Sequence, residues 1–146
     1  MTATAAATTE PAAVVIHDLA QARRVLAAAE RTRRPVLLVS PPDAGPYLGP
    51  AFFNSMIEQA RIDHPSAQAT ACLDCGDEPG TALAALRHGI DAISLTAPPA
   101  VQDKIADVAR QCGARLVPRP DKALDMAQPA SDRQLADWLM GETQDG

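Results

Sequence analysis

Aromatic side chains are nearly absent: one Trp, one Tyr and two Phe among 146 residues, 3% of the chain. A core built without them is a core of Ala, Leu, Val and Ile, and little aromatic surface remains on which bases could stack. Positive charge is short as well. With 13 Lys and Arg against 18 Asp and Glu, the formal net charge is −5, the wrong sign for contacts with a phosphate backbone. The basic residues that do cluster, Arg23, Arg24, Arg31, Arg33 and Arg34, lie along and just past one predicted helix and read as a solvated face. No nucleic-acid partner is expected.

Long apolar runs are missing too. No stretch approaches the roughly 20 residues that a transmembrane helix needs, so no membrane span is expected. The opening MTATAAATTEPAA has neither the basic start nor the apolar block of a secretory signal. Residues 1–12 read as a disordered tail and 13–146 as a single α/β domain, a length that buries a real core. Cysteines are three, Cys72, Cys75 and Cys112. An odd number with no disulfide framework fits a reducing cytoplasm. Cys72 and Cys75 have CxxC spacing, but they do not open a helix, as the redox motif requires. They fall in an apolar run, where strand positions three apart face opposite sides.

What is present is alternation. Short β-branched or apolar runs at 14–16, 36–40, 69–73, 90–95 and 114–117 predict strands. Between them, helical periodicity covers LAQARRVLAAAERT after Asp18, then 51–63, a segment between Asp77 or Glu78 and Gly89, and 100–111. Ser131 caps a last helix over about 131–140. A β-α unit repeated four times, then a strand and a helix, predicts a parallel sheet of four to five strands with flanking helices. Two architectures share that pattern: part of a (β/α) barrel, TIM-like, and an open doubly wound, flavodoxin-like sheet.

Residues 13–116 resemble the N-terminal half of the class II, metal-dependent fructose-bisphosphate aldolases. The likeness runs through HDLAQARRVLAAAERTRRPVLLVSP, the Tyr47-Leu48-Gly49 loop, the helix ending in His64-Pro65, LDCGD at 73–77, and ALRHGIDAISL. In that family the counterpart of LDCGD reads Leu-Asp-His-Gly, with an acid/base aspartate and a zinc-binding histidine. The resemblance therefore implies a catalytic role for Asp74, a metal position at Cys75 in place of the histidine, and a substrate contact at Ser40. The family's Asn near the end of the first strand falls on about Val15, and its acidic turn after the fourth strand falls on Thr96-Ala97-Pro98. The remaining family ligands and phosphate loops belong to the half of the barrel beyond the matched stretch.

A thiolate can bind zinc, and a catalytic zinc usually takes three protein ligands. Asp77, close in sequence, and His17, after the first strand, are the weaker candidates to complete a set with Cys75. His64 and His88 sit near helix ends, where an imidazolium suits the helix dipole. Asp77 also reads as a helix cap. No cofactor is required, and zinc is the one metal these residues leave open. The implied function is an aldolase-like partial barrel without independent aldolase activity, acting as a binding or assembly module. The alternatives are a metal-dependent lyase for a sugar phosphate, completed by a second subunit, and an unrelated doubly wound ligand-binding or signalling module. A half barrel leaves an apolar face and two edges open, so a homodimer through that face, or through Leu135, Trp138 and Leu139 of the last helix, is expected.

Overall fold

The computed structural model describes residues 11–141. Six strands and six helices follow in the order β1 (Ala12–Val15), α1 (Leu19–Thr32), β2 (Val36–Val39), α2 (Gly45–Leu48), α3 (Pro50–Asp63), β3 (Ala69–Asp74), α4 (Pro79–Arg87), β4 (Ala92–Ser94), α5 (Pro99–Gln111), β5 (Arg115–Leu116), β6 (Leu124–Asp125) and α6 (Asp132–Leu139). The α/β class and the parallel sheet match the sequence pattern. β6 and α2 are additions, lying in a Pro-rich joint and in the PPDAGPYLGP loop. The tail assigned to 1–12 falls outside the described residues except for Pro11 and Ala12, and Ala12 already belongs to β1. Among the described residues no helix is long and apolar enough to cross a membrane.

Local signals set most boundaries. Asp18 caps α1, its Oδ1 accepting the Gln21 amide at 2.8 Å. Ser131 and Gln134 form a reciprocal capping box at α6. Helix α4 ends in a Schellman turn, with Ile90 N–H donating to Ala85 O and Gly89 N–H to Leu86 O. Of the two residues expected at its start, Glu78 is the N-cap, although its side chain makes no capping bond, and Asp77 is an exposed residue before it.

All six strands are parallel, in the spatial order β5-β4-β3-β2-β1-β6. From β1 to β5 each strand lies beside its predecessor, so right-handed crossovers place the intervening helices on one face. β6 then returns to the far side of β1, pairing Val14 with Leu124 and Val15 with Asp125. Val117 still bonds Ile93 O beside β4, leaving seven residue steps to Leu124, at most roughly 25 Å when extended. Five strand spacings in a flat sheet come to roughly 24 Å. The two lengths are nearly equal, so the link runs close to full reach if the sheet is flat and with slack if it curls as a partial barrel does, and the all-parallel sheet is consistent with either architecture.

Alternation along the strands divides the core. Val14, Ile16, Leu38, Leu73 and Ile93 face the helices, packed with Val25, Leu26, Phe53, Ile57 and Leu86. Ala13, Val15 and Val39 face the other way, with Leu37 and Ala123 against them. Cys72 and Ala92 share that parity and are also fully buried. The inner face expected to stand open is thus covered within one chain, in part by the link between β5 and β6. That removes the physical reason for expecting a dimer there. Leu135 and Leu139 are buried in the core cluster, with α6 lying on α1, and Trp138 donates its indole N–H to Ala13 O at 2.9 Å. These three side chains serve the fold of a single chain.

Candidate functional site

The turn LDCGD is built by the chain around it. Leu73 belongs to the helix-side core, and Asp74 is the last residue of β3, on the inner parity. Its backbone N–H donates to Ser40 Oγ at 2.9 Å. Gly76, at φ 61°, turns back so that its N–H donates to Asp74 Oδ1 at 2.9 Å. Thr96 N–H closes the turn on Gly76 O at 2.8 Å. The first residue of α2 packs hard against it: a Cβ placed on Gly45 would lie 2.7 Å from Asp74 O and 3.1 Å from Cys75 Cα. The PPDAGPYLGP segment and LDCGD therefore form one surface.

Across it comes Arg119, from the link between β5 and β6. One nitrogen, Nη1, donates both to Asp74 Oδ2 at 2.9 Å and to Ser40 O at 3.0 Å. Asp74 is only 8% exposed, so the carboxylate is shielded from water, while the Arg119 side chain, 28% exposed, keeps an outer edge toward solvent. Beside it, Ser94 stands in register with Asp74 on the neighbouring strand and points to the same face. Ser94 is 4% exposed, and its Oγ has no hydrogen-bond partner among the described residues. The one group near enough to bond it is the Cys72 thiol, a weak donor and acceptor, so no nitrogen or oxygen partner meets the hydroxyl. Asp74, Ser94 and Arg119, with Asp43, Thr96 and Gln102, line an open cleft of about 560 Å³. Gln102 is itself fixed, donating to Leu95 O. The cleft lies at the carboxyl ends of the strands, where parallel α/β proteins hold ligands. A hollow of about 430 Å³ between Glu30, Arg33, Arg34 and Gln68 lies at the opposite ends.

The residues implied by the sequence are distributed as follows. Asp74 faces the cleft. Ser40 is fully buried and spent on Asp74 and Arg119, so it positions the site rather than lining it. Cys75 is buried under the turn with its thiol directed at Leu73 O, 3.7 Å away. Burial, aided by the neighbouring Cys72 and Asp74, pushes that thiol up to about 12, so it stays protonated at neutral pH. Asp77 is exposed on the rim. His17 lies elsewhere, with Nε2 on Asp125 Oδ1 at 2.7 Å, where it joins the ends of β1 and β6. Asp125 also accepts the Ala127 amide. Burial works to raise this carboxyl, but the Ala127 and His17 bonds and the fields of His17 and Arg119 outweigh it and hold it below the usual range.

Cys75, Asp77 and His17 are therefore not gathered into a metal centre. Among the described residues no three His, Cys, Asp or Glu side chains stand together to hold an ion, and these residues do not fit zinc. The remaining histidines terminate helices, His64 at α3 with Nδ1 on Glu30 Oε1 at 2.8 Å and His88 at α4. Arg119, Ser94 and Asp43 went unnoticed in the sequence. Ser94 was accessible to the alternation Ile93-Ser94-Leu95, which sets it opposite its two apolar neighbours. Arg119 had only its two flanking prolines to mark it.

No protein-family model matches this chain, and no curated protein is found to be similar to it. The aldolase resemblance rests on the residues quoted above.

Proposed function

We propose that this chain is a binding module built on a class II aldolase-like partial barrel, without aldolase activity of its own. The supporting observation is the engagement of Asp74. A proton-transferring carboxylate needs an oxygen turned to its substrate. Here Oδ1 accepts from Gly76 and Oδ2 from Arg119, and a proton reaching Oδ2 has to displace a guanidinium. What the surface offers a ligand is a shaped set of hydrogen-bonding groups: Ser94, Thr96, Asp43 and the outer edge of Arg119. Assembly with other chains would use the large apolar side chains still exposed, Tyr47 and Phe52 among them. The free thiols, including exposed Cys112, fit a reducing cytoplasm, where we place the protein.

The test is cleavage of fructose 1,6-bisphosphate by the purified chain, with and without added zinc. No turnover above background is expected in either condition. Turnover that requires zinc and vanishes in Asp74→Asn would overturn the reading in favour of a lyase completed by a second subunit.

A further inference from the structure

The charge and donor pattern of the cleft restricts what it can hold. Among the described residues its one cation, Arg119, is already matched by Asp74 at 2.9 Å, and Asp43 lines the same cleft. Asp43, Asp77 and Glu78 surround the adjoining hollow beyond Gly76. A phosphorylated ligand would meet more carboxylate than guanidinium. Nor are backbone amides arranged to take it. Phosphate sites in α/β proteins draw on N–H groups at helix N-termini, but the helices whose starts border the cleft and the adjoining hollow, α2, α4 and α5, carry proline in their first turn. Proline has no N–H. Helix α5, nearest the cleft, begins with Pro98 at its cap followed by Pro99.

The same cleft is rich in neutral bonding capacity. Ser94 lines it, and its buried hydroxyl has no nitrogen or oxygen partner among the described residues, only the weakly bonding Cys72 thiol, a costly condition that a ligand group could relieve. The same lining carries a donor, Arg119, the Thr96 hydroxyl, which both donates and accepts, and the acceptors Asp43 and Asp74. Adjacent hydroxyls, each both donor and acceptor, suit such a mixture. We propose that the cleft binds an uncharged polyhydroxyl ligand, a monosaccharide or similar polyol, and discriminates against its phosphate ester. This rests on the binding-module reading above and narrows it.

The test is an amide-resolved NMR titration of the full chain with D-fructose, D-ribose and glycerol, each beside its phosphate ester, with inorganic phosphate and putrescine as further probes. At least one uncharged member is expected to shift Gly76, Ser94 and Thr96, with its ester at least tenfold weaker. Ser94→Ala, which removes only an unsatisfied hydroxyl and so keeps the fold, is expected to weaken that binding about tenfold. Tighter binding of an ester, of phosphate or of the diamine at these residues would overturn the polyol assignment and leave the binding-module reading standing. Unchanged affinity in Ser94→Ala would do the same. If no probe shifts the cleft residues, both readings fall.

Discussion

Arg119 gives two hydrogen bonds from one nitrogen, and Asp74 receives it on one oxygen while holding Gly76 on the other. The space these groups occupy depends on a single missing methyl group. At Gly45 a Cβ would lie 2.7 Å from a backbone oxygen that cannot rotate away. Gly45→Ala therefore has to push the α2 loop off the LDCGD turn. Its expected cost is about 1–3 kcal/mol, as for other overpacked sites. Gly80→Ala is the control: it sits in α4 with nothing within 4 Å of the added carbon, and should be neutral or stabilise by about 0.4–1 kcal/mol. Urea unfolding of the two variants reads the difference. Equal midpoints would show that the loop and turn are not packed as described.

Among the elements, β6 is the least self-sufficient. It has two residues, and only its place beside β1 makes it a strand. The His17–Asp125 bond at its end and the Trp138 indole on Ala13 O hold it and α6 to the first strand. Because the folded Asp125 carboxyl lies below its unfolded value, the stability it contributes is present above the ordinary carboxylate range. That stability is lost as pH falls through the folded value. Asp125→Asn should therefore flatten the loss of thermal stability between about pH 5 and pH 3, as followed by circular dichroism. A variant that melts in parallel with the parent across that range would remove the clasp from the account.

The same contrast explains what could be read before the fold was known. Asp18, Ser131 and Gly89 announce helix ends by local chemistry, and the runs at 36–40 and 69–73 announce strands by their own composition. Residues 124–125 carry no such signal, since their pairing is supplied by a neighbour far away in the chain. The site divides in the same way. Asp74 was legible because it terminates an apolar run before a turn. Its partner Arg119 was not, because nothing local tells an arginine in a Pro-rich link that it will cross the sheet. Cys75 misled through its position in a motif. Only its burial shows that the thiol is packing material.

For the whole molecule, strand order also dictates the order of assembly. From β1 to β5 each pairing joins consecutive units, so those contacts close short stretches of chain. The exception is the return of β6, where His17 and Asp125 meet across 108 positions. Loop-closure entropy makes that the slowest contact to nucleate. The only tryptophan in the chain, Trp138, sits on the helix that follows this return. Refolding watched through the indole should therefore lag refolding watched through backbone dichroism, and coincident traces would mean that the return is made early. The chain thus carries an optical clock wired to its final step.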